Sequence, residues 1–411
     1  MALTSCVGNP SVASHLAIGG PRITVLKPLA GAKASDYIFI SPVGGNLHGP
    51  EILSPSGKII YFHELPPGVT ATDFRAQTYL GKPVVTWCQH KLSSPAAVDI
   101  MYDASYHKVA EVKAGNGYYA DWHEFLITPQ DTALITVAKT ITANLTSIGG
   151  KPDQKVIEDG VQEIDIKTGK VLFQWTTARQ VPFGDSQIPL PTSASTPWDW
   201  FHVNAVHLDT DGNLLINSRF TWTTYKVDRK TGKIIWQLGG KHSTFEFNAE
   251  PGQVFDKAVE IFAFQHDPEP IGHDEYTFFD NESDGGTKLL PHSRVVTVRL
   301  DPAIKIATLI KSVNQPEDYV ATAEGNAQTI DGGDLFVGWG EVPYVSLFSP
   351  SGRLLFNAKL PSGVRHLPGL SPALETLQLA PRPATALARC CCRAGRCLSV
   401  SRPATALARC C

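Results

Sequence analysis

From about Tyr37 to Leu360 the chain sets short apolar runs against turn residues. Pro83-Val84-Val85-Thr86-Trp87, Ala133-Leu134-Ile135-Thr136-Val137, Asn213 to Arg219, Glu275-Tyr276-Thr277-Phe278-Phe279 and Asp334 to Trp339 are rich in β-branched and aromatic residues. Each is too short for a buried helix and is bounded by turn formers, so each reads as a strand. Tyr37-Ile38-Phe39-Ile40 is the sixth of the set. Each run is followed by a hairpin: Glu51 to Leu65, Asp99 to Val112, Val161 to Trp175, Tyr225 to Leu238, Val295 to Ile310 and Ser346 to Leu360. The turns echo one another. Lys167-Thr168-Gly169-Lys170 returns as Lys230-Thr231-Gly232-Lys233, and Ser54-Pro55-Ser56-Gly57 as Ser349-Pro350-Ser351-Gly352.

A four-stranded unit that cannot bury both of its faces alone, repeated about six times, predicts blades around an axis. The fold expected is therefore all-β, a six-bladed β-propeller of four-stranded antiparallel blades over 36–364. Ring closure is expected from the strand near Tyr37 pairing into the blade that ends at Leu360. Residues 1–35 read as a mostly irregular N-terminal segment. Residues 365–411 read as a disordered tail, because Arg382 to Cys391 recurs letter for letter at Arg402 to Cys411 without strand alternation.

Composition narrows the function. A net charge of −3 leaves no electrostatic footprint for nucleic acid or anionic lipid, and no apolar run is long enough to span a bilayer. No export signal is visible at the start of the chain. Asn144-Leu145-Thr146 and Asn281-Glu282-Ser283 fit the glycosylation triplet. Cys6 and Cys88 are the only cysteines before Cys390, and the six in the tail match no zinc spacing. No Gly-rich phosphate loop with a lysine occurs.

The chemistry-bearing residues emerge when the first strands of successive units are aligned. His123, His202 and His266 stand eight or nine residues before the turn residues Asp131, Asp211 and Asp274. The first strand of a blade lines the channel, so equal register predicts three imidazoles converging on one level. Asn204 shares the face of His202 by strand alternation, and Arg219 ends the neighbouring strand with a planar, permanently charged fork. Three histidines also suit a zinc ion, although a fixed cation beside a divalent metal is unfavourable. His107, His207, His242 and His292 read as surface or satisfied core positions. Cys88, Trp87, Trp236 and Trp339 read as packing.

At these residues the chain resembles the arylsulfotransferase family. The resemblance is carried by Asn116-Gly117-Tyr118, Asp121-Trp122-His123-Glu124-Phe125, Val161 to Asp165, Trp198 to Asn204, Ser218-Arg219, Tyr225 to Gly240, Gln265-His266-Asp267 and Val337 to Glu341. It implies a nucleophilic His266, supporting His123 and His202, and Asn204 and Arg219 around the sulfuryl oxygens. It implies an aryl sulfate donor and a phenolic acceptor, with no cofactor, no metal and no nucleotide donor. Family members are often exported. After Val364 such proteins continue with an aromatic-rich strand, and this chain departs from that pattern. Two other classes stay open at this point: a non-catalytic propeller scaffold, and a metal- or quinone-dependent propeller enzyme.

Overall fold

The computed structural model describes residues 20–33, 36–43, 47–330 and 332–361, together with the strand Glu375–Leu379. Its strands form five hydrogen-bonded sheets, and the eight-stranded one is two meanders joined only at Ala97 and Ala120. The architecture is a β-propeller. In chain order the blades are Ile38–Ser41, Glu51–Leu53 and Ile59–Phe62; Val69–Tyr79 to Lys108–Val112; Tyr119–Ile127 to Val171–Thr176; Val203–Leu208 to Ile234–Leu238; His266–Gly272 to Ile306–Asn314; and Asn326–Thr329 to Leu354–Lys359. The first strands of the second to sixth blades touch one another in sequence around the axis, and Glu375–Leu379 touches both Val69–Tyr79 and Asn326–Thr329 to close the circuit.

Six apolar clusters explain why the chain folds this way, because each lies between two consecutive blades. Trp175 and Leu134 of the third blade meet Val206 and Tyr225 of the fourth. Leu215 and Trp236 of the fourth meet Phe278 and Val296 of the fifth. Successive residues of a strand point to opposite faces, so Leu134 serves one interface while Ala133 and Ile135 serve the other. Phe278 and Phe279 divide in the same way. Both faces are covered, and the central strands therefore read as continuous apolar runs. Trp87 and Trp339 are fully buried in these interfaces, as their packing role requires.

Closure differs from the sequence expectation. Ile38–Ser41 does not pair with the last blade; it pairs with Glu51–Leu53 on one side and with Glu375–Leu379 on the other, antiparallel in both cases. The edge of the last blade is covered instead by Thr24–Lys27, antiparallel to Leu354–Lys359. The segment 1–35, expected to be mostly irregular, thus contributes a strand, and the segment read as a tail contributes another. The remaining residues of 365–411 lie outside the described residues. Apolar packing completes the ring, since Phe336 and Phe356 of the last blade meet Ile38, Ile40 and Leu53 of the first.

Candidate active site

His123 lies on Tyr119–Ile127, His202 immediately precedes Val203–Leu208, and His266 opens His266–Gly272. Three innermost strands therefore bring them to the axis. An aromatic wedge plants the His202 loop: Trp198, Trp200 and Phe201 are buried, with Trp200 4.7 Å from Phe183 and Phe201 stacked on Tyr225 at 5.5 Å. His202 itself is in the left-handed region, at φ 57°, a conformation that persists where its surroundings dictate it. Its N–H donates to Asp159 Oδ2 at 3.0 Å, and its carbonyl accepts the Arg219 N–H at 3.0 Å.

Each imidazole has one nitrogen committed. His123 Nδ1 bonds Asp121 Oδ2, and His202 Nδ1 bonds Asp199 Oδ2 at 2.6 Å. The two rings meet edge to face, 5.1 Å between centroids. Burial alone raises the Asp121 pKa, but the charge and hydrogen bond of His123 hold it below the usual value. Burial, and then the neighbouring Asp199 and Asp121, raise the Asp159 pKa well above its ordinary value, against the N–H groups of His202 and Val203 that donate to it.

His266 is different, because its partner is an amide. Asn281 Nδ2 donates to the carbonyls of Ala321 and Glu324, at 3.0 and 2.9 Å. That fixes the amide orientation, so Oδ1 faces His266 Nδ1 at 2.7 Å. An amide oxygen only accepts; the proton is therefore on Nδ1 and the lone pair on Nε2. Burial, the Arg219 charge and the neighbouring His123 and His202 hold its pKa well below the ordinary value, against the opposing effect of Asn281. His266 is a neutral imidazole at pH 7.

Arg219 approaches from the side. Its guanidinium carbon is 4.8 Å from the Phe220 ring and 5.7 Å from that of Phe264, and Phe220 in turn lies 4.7 Å from the His202 ring. Nη2 donates to the Thr322 carbonyl at 2.6 Å, while Nε is buried without a hydrogen-bond partner among the described residues. Asn204 is woven into a buried amide net. Its Nδ2 donates to the Gln265 carbonyl at 2.9 Å, and its Oδ1 accepts from Asn217 at 2.6 Å. Asn204 thereby fixes the strand that carries His266, and its amide nitrogen keeps a second hydrogen.

Two cavities share His123. A small one of about 30 Å³ is bounded by His266, Asn204, His123 and Gly325. Gly325, at φ 113°, brings bare backbone to this wall; a Cβ there would fall 2.3 Å from the Phe279 ring. A larger one of about 550 Å³ is lined by His123 and His202 together with Tyr119, Trp122, Asp121 and Asp199, a volume suited to a small organic ligand.

A second polar cluster joins these strands. His207 Nε2 lies 3.1 Å from Asp267 Oδ1 and 3.4 Å from Glu124 Oε2, and Arg75 Nη2 is 2.6 Å from Glu124 Oε1. Donor atoms of Glu124, His207 and Asp267 lie within 4.8 Å of one another, a set that suits a divalent ion by type. Burial opposes a charge on His207, but the two carboxylates raise its pKa well above the ordinary value. An imidazolium fills the role of a cation there, and a protonated nitrogen is no ligand.

Sequence reasoning named His123, His202, His266, Asn204 and Arg219. It assigned no role in the site to Asp121, Asp199, Asn217 or Asn281. The carboxylates two and three residues before His123 and His202 were a usable signal; the two asparagines, placed by neighbouring strands, left none. Asn281 is fully buried, which removes it as a glycosylation site. His207, read as a surface or satisfied core residue, is buried and ion-paired.

A sequence model described as "Arylsulfotransferase (ASST)" matches residues 93–360. No curated protein matches the chain. Solved structures are similar at low identity, each with a TM-score under 0.5. A protein of unknown function from Bacteroides caccae has 11% identity and a TM-score of 0.49, covering 83% of this chain and 97% of its own. A catalytically inactive virginiamycin B lyase from Staphylococcus aureus has 9% identity and a TM-score of 0.42, with 81% and 87% covered. The periplasmic gluconolactonase of Pseudomonas aeruginosa has 11% identity and a TM-score of 0.40, with 84% and 98% covered. With the family match spanning well over half of the sequence, the chain belongs to the arylsulfotransferase (ASST) family.

Proposed function

We propose that this protein moves a sulfuryl group from an aryl sulfate to a phenolic acceptor, with His266 as the group that carries it. The observation behind this reading is the tautomer of His266: a neutral ring whose Nε2 lone pair is free while Asn281 holds the proton on Nδ1. In the first half-reaction Nε2 attacks sulfur, the sulfur–aryl oxygen bond breaks, and the electron pair leaves on the phenolate oxygen. A phenolate is a poor leaving group, since its conjugate acid has a pKa of ~10, so it is protonated as it departs. His123, common to both cavities, supplies that proton, with Asp121 supporting the imidazolium. His202 with Asp199 backs it edge-on.

The second half-reaction reverses the path. His123 takes the proton of the incoming phenol, whose oxygen attacks sulfur, and His266 leaves as a neutral imidazole because Nδ1 never lost its proton. Arg219 and the second amide hydrogen of Asn204 stabilise the sulfuryl oxygens. Positioning and charge stabilisation dominate, as in phosphoryl transfer.

Mass spectrometry tests this directly. Incubation with para-nitrophenyl sulfate and no acceptor is expected to add one sulfo group, mapped to His266 and discharged by phenol. A protein that turns over without any such adduct, or that a chelator stops, would overturn the proposal.

A further inference from the structure

The large cavity carries an unusual balance of charge. Its walls offer the half-buried rings of Tyr119 and Trp122, and three carboxylates, Asp121, Asp159 and Asp199, face the same space. None of its lining residues is Lys or Arg. His90, on the same wall, adds no cation: burial first, then the nearby His123, push its pKa down to about 4 against the pull of Asp121. The Asp199 side chain is 40% exposed, so its charge is available to a bound molecule.

Tyr119 already reports the field. Its hydroxyl is raised above the ordinary phenol value, first by burial and then by Asp121, Asp159 and Asp199. A second phenol in the cavity experiences the charges of Asp121 and Asp199; Asp159, whose pKa is raised well above the ordinary value, is not counted among them. Arg219 acts on His266 at the other end of the site, where the small cavity is also walled by Asp73, Arg75, Glu124, Asp267 and Glu324. The aryl cavity itself carries Asp121 and Asp199 with no Lys or Arg to balance them.

We infer that the cavity selects aryl groups bearing an ammonium, and rejects those bearing a carboxylate, so that hydroxyaryl amines are the substrate class of both half-reactions. The inference rests on the proposed function in one respect only, that the cavity takes the aryl portion. An ammonium on the ring pairs with Asp199 at the solvent side, and Trp122 adds cation–π attraction. A carboxylate in the same place meets like charge in a partly desolvated pocket, where opposite and like charges differ by far more than in water.

Calorimetric titration of the full chain at pH 7 tests this without turnover. The probes are para-hydroxybenzylamine, para-hydroxyphenylacetate and the uncharged para-ethylphenol. The amine is expected to bind at least about tenfold more tightly than the acid, with the neutral phenol between them and the gap shrinking as salt is added. Asp199→Asn should compress that ratio toward a few-fold. Ser93→Lys, on the exposed rim of the cavity, should compress it as well, and it serves where the first variant fails to fold. Equal affinities, or tighter binding of the acid, would overturn the inference. Transfer assays keep the two ideas apart. Sulfuryl transfer without charge discrimination sinks the selectivity and leaves the reaction standing; the binding order without transfer does the reverse.

Discussion

Two buried histidines, His266 and His207, sit on adjoining innermost strands of the same ring and have opposite chemistry. Both are shielded from water, so burial pushes both toward neutrality. His207 faces two carboxylates, Glu124 and Asp267, and is held protonated. His266 faces an amide, a guanidinium and two imidazoles, and is held neutral with its lone pair free. The difference lies in the partners, since the depth is shared. A buried imidazole beside carboxylates is held as a cation; beside an amide of fixed orientation it stays neutral with a lone pair free.

The largest effect should come from the neutral member. His266→Ala removes the group proposed to carry the sulfuryl, and turnover with para-nitrophenyl sulfate is expected to fall at least about ten-thousandfold with little change in Tm. A fall of tenfold or less would move the nucleophile elsewhere. The charged member should behave the other way. His207→Phe leaves Glu124 and Asp267 facing one another, and a broken buried ion pair costs about 3–5 kcal/mol. The pH dependence has a definite sign. Folding raises the His207 pKa, so its contribution is fully present below the unfolded value of about 6.5 and is lost as pH rises through the folded value. The Tm gap between the wild type and His207→Phe should therefore be widest in mildly acid solution and narrow in alkali. A gap that is constant with pH would mean that His207 only packs.

How much of this was legible in the sequence follows from how each feature is encoded. The blades were readable because both faces of each central strand are buried, which writes continuous runs such as Ala133 to Val137 and Tyr276 to Phe279. His123, His202 and His266 were readable because one chain repeat sets all three. Closure was not. Thr24–Lys27 is a single four-residue edge strand whose burial shows no alternation, and only the arrival of Leu354–Lys359 beside it gives it a partner. The tautomer of His266 was out of reach for a similar reason. It depends on Asn281, fifteen residues away, and on the carbonyls of Ala321 and Glu324 beyond it.

Arg219→Lys tests the positive side of the His266 environment. A lysine keeps the charge near His266 but loses the planar fork. The neutral state of His266 should survive, while stabilisation of the sulfuryl oxygens weakens. A fall in kcat of roughly 10²-fold is expected, with the acid limb of the pH profile unmoved. A shifted limb would instead mean that Arg219 acts mainly by setting the protonation of His266.

Asn281→Asp has the smallest expected effect and bears most directly on the comparison, because it gives His266 the kind of partner His207 has. A carboxylate at this position accepts the Nδ1 proton as the amide does, but it favours the imidazolium. An adjacent carboxylate raises a histidine pKa by one unit or more, enough to offset part of the depression that burial and Arg219 impose. The folded value then still lies below the ordinary one, so His266 stays mostly neutral at pH 7 and kcat/KM falls only a few-fold there. The loss should deepen in acid buffer, because the acid limb moves upward toward neutrality, and should be recovered as the pH rises. The variant also gives up the donors to Ala321 and Glu324, and some loss of Tm accompanies it. Misplacement alone would lower the rate equally at every pH, so the position of the acid limb is the decisive reading. A limb that stays where the wild type has it would separate the neutrality of His266 from Asn281, and with it the claim that an amide partner is what distinguishes the two histidines.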